Sequence, residues 1–154
     1  MIKVDVTNQQ AAFPVDVSHL RAAAVAVLCG EAVEMATVSV AVVDDQTIHD
    51  LNRRFLDHDY PTDVLSFLLE GDSKAFEGEV VVSAETAARM SSRYGWSAEA
   101  ELLLYVVHGT LHLVGYDDRD ADKRKQMRAK ERLYLTGLGC VSLQADDERE
   151  RHSR

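Results

Sequence analysis

No apolar run in this chain reaches the roughly 18 to 20 residues that a membrane-spanning helix needs. The start, Met1-Ile2-Lys3-Val4-Asp5-Val6, alternates like a strand and carries acid early, so it does not resemble a signal peptide. A cytoplasmic protein that touches no membrane is the expectation. Cysteine occurs twice, as Cys29 and Cys140, in no CxxC pattern. That excludes a disulfide framework and predicts two small buried side chains in a reducing compartment. Positive charge is also short: 17 Lys and Arg stand against 26 Asp and Glu, for a net charge of −9. Such a balance argues against loose, whole-surface attraction to nucleic acid, and no DNA partner is expected. There is no internal repeat and no linker, so the 154 residues read as one domain with room for a real core.

What is present is a regular alternation of strand and helix patterns. Residues 2–6 read as a strand. Ser18 is placed to cap an alanine- and leucine-rich helix from His19 to Cys29, with Gly30 as its stop. The β-branched run Thr37 to Val43 predicts a strand. Asp45 would then cap a helix over Gln46 to Leu56, with Ile48, Leu51 and Phe55 at helical spacing. Val64 to Leu69 and Glu79 to Ser83 read as two strands around a turn-forming excursion from Glu70 to Gly78. Ser83 starts a helix closed by Gly95, and Ser97 starts a long one, Ala98 to Val114. That long helix is apolar almost all round, the mark of a central, buried element. Asp120 or Asp122 caps a last charged helix to about Thr136. The expected architecture is α+β: a small mixed four-stranded sheet with about five helices, and a zincin-like central helix carrying a metal site. A domain over residues 1–143 and a disordered, charged tail over 144–154 complete the picture.

The chemistry gathers at the end of the central helix. His108 and His112 stand four apart, so both imidazoles lie on one helix face and can reach one ion. Gly115 readily takes the left-handed conformation that ends a helix and lets the chain double back. Asp118 is placed to be the third ligand, with Asp117 beside it as the alternative. The spacing HxxxHxxGxxD has the ligand positions of the long zinc-protease motif. The protease's general-base glutamate is Gly109 here, which speaks against peptide hydrolysis by that route. A catalytic zinc site keeps three protein ligands and an open fourth position, and these residues supply three. One Zn²⁺ is the expected cofactor. Its carboxylate ligand would make it a weaker Lewis acid than a three-histidine site.

The segment His108-Gly109-Thr110-Leu111-His112-Leu113-Val114-Gly115-Tyr116-Asp117 resembles the signature of the YbeY family of bacterial endoribonucleases. Two further blocks carry the resemblance: Leu51-Asn52 followed by Pro61-Thr62-Asp63-Val64-Leu65-Ser66-Phe67, and Gly78-Glu79-Val80-Val81-Val82-Ser83. Met127 and Glu131 fall where the family's last helix carries similar residues. The resemblance implies a zinc-dependent, single-strand-specific endoribonuclease. It also implies a role in maturing the 3′ end of 16S rRNA and in ribosome quality control, with ribosomal RNA and the small ribosomal subunit as partners.

The chain departs from the family pattern at two places. Asp118 stands where the family has its third metal histidine. Leu56 stands where an arginine thought to serve RNA cleavage is usual, and the basic run behind it is Asp57-His58-Asp59. Arg53 and Arg54 are close in sequence, but at 100° per residue they point about 300° and 200° away from position 56. Arg54 and Asp63 are the candidate catalytic residues. The charged run from Lys123 to Arg132 reads most simply as a solvated helix face. Bordering the cleft, it would hold RNA phosphates instead.

Two other functions compete. One is a ribosome-assembly binding factor with a structural or vestigial metal site, which the missing arginine favours. The other is a two-histidine, one-carboxylate iron oxygenase, which shares the ligand set but not the rest of the pattern.

Overall fold

The structure is a computed structural model that describes residues 1–60 and 62–140. The expected tail over 144–154 and the domain boundary at 143 lie outside the described residues. Among the described residues four strands are found: β1 (Ile2–Asn8), β2 (Met35–Val43), β3 (Val64–Gly71) and β4 (Ala75–Ser83). They form one mixed sheet in the order β1-β2-β4-β3. β1 and β4 both run parallel to β2, and β3 pairs antiparallel with β4. Five helices accompany them: α1 (Val17–Gly30), α2 (Asp45–Leu56), α3 (Ala84–Tyr94), α4 (Ala98–Leu113) and α5 (Ala121–Gly137).

The alternation along the strands sorts the side chains. Val38, Val40 and Val42 of β2 share one sheet face with Phe76, Val80 and Val82 of β4. That face is covered by α1, through Leu20, Ala23, Ala24, Val27 and Leu28, and by α4. Each fully buried leucine or valine contributes about 1.5–3 kcal/mol. With Leu102, Leu103, Leu104, Val106, Val107 and Leu111 all buried, α4 is the largest single contributor to the core. The opposite face carries a smaller cluster, Val43, Ile48, Leu65 and Val81, roofed by α2. α5 lays Met127, Tyr134 and Leu135 against α4 and α1.

α4 sits close to the sheet because glycines meet it there. A Cβ on Gly109 would lie 2.6 Å from Val80 Cγ1 and 3.0 Å from Ser66 Oγ. One on Gly78 would lie 2.9 Å from Leu113 Cδ1. Ser66 Oγ also donates a 2.8 Å hydrogen bond to the Gly109 carbonyl, pinning helix to strand at the turn that carries His108.

Several local expectations need correction. α1 is capped by Asp16, whose carboxylate accepts from Ser18 N and His19 N, rather than by Ser18. α2 is capped by Asp44, which accepts from Thr47 N at 2.8 Å. That leaves Asp45 to accept hydrogen bonds from Ser83 and Thr86 and to pair with Arg89. The turn between β3 and β4 shrinks to residues 72–74, held by Asp72 accepting from Lys74 N and Ala75 N. The polar letters that suggested a long excursion instead alternate outward along β4, with Glu77 exposed while Phe76 and Gly78 face in. Cys29 is exposed rather than buried, and Cys140 is half-buried.

Candidate metal centre

α4 delivers both histidines from a rigid, buried element. It ends at Leu113, and Gly115 takes φ +108°, where the chain reverses. Gly115 N donates to the His112 carbonyl and Tyr116 N to the Leu111 carbonyl, so the reversal is tied to the last turn of the helix. Asp118 thereby returns to the histidines. His108 Nε2 and His112 Nε2 are 3.1 Å apart, and Asp118 Oδ2 is 3.9 Å from His108 Nε2. One ligand atom from each of the three residues lies within 4.8 Å of the others. Ligands about 2.0–2.1 Å from a tetrahedral ion sit about 3.3 Å apart, so the donor set fits a single ion of that kind with little movement. The cleft beside His108 and Asp118, with a volume of about 20 Å³, has room for one ion or one water and is partly open to solvent. Asp117 does not join them: its carboxylate accepts from Arg119 at 2.9 Å and faces Lys123 at 3.8 Å.

The imidazoles are set up to offer lone pairs. Burial, and next the neighbouring His108, push the His112 pKa below the ordinary histidine value, which favours the neutral, ligating form. His108 Nδ1 lies 2.5 Å from Glu131 Oε2 on α5. Glu131 is 3% exposed and accepts a second hydrogen bond from Arg128 at 2.8 Å. Burial alone would raise its carboxyl, but His108 and Arg128 outweigh it and hold the pKa below the usual carboxylate range. A carboxylate at Nδ1 keeps the proton there and leaves Nε2 to face the ion. In the sequence Glu131 stands out only as a position similar to one in the family's last helix. The available signal was an acid inside the apolar stripe Met127, Tyr134 and Leu135 of a charged helix.

A second carboxylate steadies the returning loop. Glu31, at the end of α1, accepts from Tyr116 Oη at 2.7 Å, from Lys130 at 3.1 Å, and from Tyr134 Oη. Burial would raise Glu31, yet these donors together hold it below its ordinary value. Tyr116 is two residues from Asp118, so the loop is anchored to α1 and α5. Nothing local in the sequence joins residues 31, 116 and 134.

The structure brings Asp63 to the cleft, where it lines the wall with Tyr105, His108, Asp118, Arg124 and Arg128. It does not bring Arg54 there. Arg54 lines a different hollow with Leu51, Phe55, Phe67, Leu69 and Glu79. Arg53 is exposed and pairs with Asp50. Leu56 ends α2 and is 42% exposed. His58 stacks on Tyr60 with centroids 5.4 Å apart. The missing protease glutamate has a packing cause: position 109 rests on Val64, Ser66 and Val80, which leave no room for a side chain.

The model of the endoribonuclease YbeY family matches residues 5–139. The chain belongs to that family. An endoribonuclease YbeY from Rhodopirellula baltica is 44% identical over 133 residues, covering 85% of this chain and 69% of the relative. One from Carboxydothermus hydrogenoformans is 40% identical over 139 residues, covering 88% and 96%. A solution structure from Thermotoga maritima superposes with a TM-score of 0.63 at 26% identity, covering 99% of this chain and 95% of that one.

Three stretches of the YbeY blocks, scattered in sequence, meet in space, while Leu51 lies on the opposite face of the sheet. The stretch 62–67 runs into β3 and sets Asp63 on the cleft wall. The block at 78–83 is the half of β4 on which Gly109 rests. The block at 108–118 supplies the converging ligand atoms. Among the described residues, no helix is long and apolar enough to cross a membrane.

Proposed function

We propose that this chain is a zinc-dependent endoribonuclease that cuts single-stranded RNA, with one Zn²⁺ held by His108, His112 and Asp118. The observation that carries the reading is the convergence of those three donors beside an open cleft, in a chain of the endoribonuclease YbeY family. Two imidazoles and one carboxylate at near-tetrahedral separations suit zinc and leave a position open. When bound, the ion supplies Lewis-acid polarisation of a phosphate oxygen. We assign to Asp63, which lines the cleft with His108 and Asp118, the task of taking the proton from the attacking hydroxyl, whether of water or of the ribose. Glu131 keeps His108 in the tautomer that faces the ion. The biological substrate we propose is the 3′ end of 16S rRNA, within small-subunit maturation and ribosome quality control in the cytoplasm.

Leu56, in place of the arginine that the family resemblance implies, favours a second reading. In it the domain binds ribosomal RNA as an assembly factor without cutting it. A labelled single-stranded RNA incubated with metal-loaded protein separates the two. Cleavage that stops with chelator and with His112→Ala supports the nuclease. Binding without cleavage by the loaded wild type supports the assembly factor. The 3′ end of the upstream product distinguishes the attacking group, because only attack by the ribose hydroxyl leaves a cyclic phosphate there.

A further inference from the structure

Position 56 is leucine, and Arg54 lines another hollow, so α2 supplies no arginine to the metal cleft. The arginines that do line it come from α5. Arg124 and Arg128 are one turn apart on the same helix face, and both are half-buried on the wall that holds His108 and Asp118. Among the described residues, each donates one side-chain hydrogen bond, through a single nitrogen. Arg124 Nη1 donates to the Asp118 carbonyl at 3.3 Å, and Arg128 Nη1 donates to Glu131 Oε1 at 2.8 Å. A guanidinium has five N–H donors in a planar fork that matches phosphate oxygens. The partner of Arg124 in that bond is a neutral carbonyl, so the contact leaves its charge uncancelled.

The cleft is partly open, and both arginines keep part of their surface exposed on its wall. A phosphate reaching the cleft would meet both guanidiniums on the wall that carries His108 and Asp118. We propose that Arg124 and Arg128 form a clamp for a phosphate of single-stranded RNA at this cleft, supplied from α5 where α2 supplies no arginine. The proposal rests on the nuclease reading, and its test separates the two.

Binding of a fluorescent, 2′-O-methylated single-stranded RNA is measured by anisotropy in chelator at several salt concentrations. Cleavage of the unmodified RNA by zinc-loaded protein is measured alongside, and zinc affinity is measured by calorimetry. The variants are Arg124→Gln, Arg124→Lys, Arg128→Lys and, as a control away from the cleft, the exposed Arg93→Gln of α3. Arg128→Lys keeps a cation beside Glu131, so it spares the fold. We expect Arg124→Gln to weaken RNA binding on the order of tenfold and to lower the slope of log K against log salt by about 0.7, one phosphate contact on a single strand. Arg124→Lys restores that slope but not the cleavage rate, because the point charge returns without the fork. Arg128→Lys likewise binds RNA and lowers cleavage, while Arg93→Gln changes neither. Zinc affinity stays within about twofold throughout. Wild-type binding and cleavage by Arg124→Gln and Arg128→Lys would overturn the clamp, as would parallel losses of zinc and RNA affinity. A wild type that fails to cut, with the binding losses intact, removes the nuclease reading and leaves the clamp standing.

Discussion

Glu131 grips His108 across the gap between α5 and α4, carboxylate oxygen to Nδ1 at 2.5 Å. The contact joins a buried carboxylate to the one histidine nitrogen that does not face Asp118 and His112. Replacing Glu131 by glutamine keeps the shape and removes the charge. Zinc affinity should fall about 10- to 100-fold, the usual loss when a carboxylate behind a metal-binding histidine is removed. Calorimetric titration of the metal-free variant checks this, with circular dichroism to confirm the fold. Unchanged affinity in a folded variant would reduce Glu131 to a packing residue.

Gly109 is where α4 touches the sheet. Gly109→Ala places a methyl 2.6 Å from Val80 Cγ1. Overpacking of this kind costs about 1–3 kcal/mol. In a domain of this size each kcal/mol lowers the melting temperature by about 2–4 °C. Thermal unfolding of the metal-free protein measures the loss. A melting temperature equal to wild type would show that helix and sheet can separate there, and the packing reason for the missing glutamate would fail.

Asp45 gives stability a definite dependence on pH. Burial would raise its carboxyl, but hydrogen bonds from Ser83 (2.6 Å), Thr86 (2.7 Å) and Arg89 (2.5 Å) outweigh that and hold it low. The folded pKa then lies below the unfolded value of about 3.9. The contribution is fully present above that value and is lost as pH falls through the lower, folded pKa. Urea midpoints for wild type and Asp45→Asn should differ by a constant amount above about pH 5 and converge below about pH 4. A gap that stays constant down to pH 3 would contradict this.

Much of this architecture was legible because local rules and tertiary packing agree. The valines of the β-branched run at Thr37–Val43 are buried while Thr37 and Ser39 face out, and the apolar run at Leu102–Val107 is buried throughout. Ser83, Ser97 and Asp120 cap their helices as their positions imply. The histidine pair followed by glycine marked the candidate metal face, where three donors converge, because its spacing is local. Caps were misread at Asp16 and Asp44, where an acid one or two residues upstream outcompetes the nearer candidate. Long-range partners left no local trace. Glu131 lies 23 residues from His108, and Glu31 lies 85 from Tyr116. Arg54 illustrates the converse: it is close in sequence to the position of interest, but it lies against the wrong face of the sheet.

One titration bears most directly on the metal centre. Zinc is added to metal-free wild type, Asp118→Ala, Asp117→Ala and His112→Ala, and stoichiometry and affinity are read by calorimetry. The geometry predicts one ion per chain. Asp118→Ala and His112→Ala should lose more than the roughly hundredfold expected at a supporting residue, while Asp117→Ala stays near wild type. Absence of stoichiometric binding by the wild type, or a loss at Asp117 with none at Asp118, would contradict it.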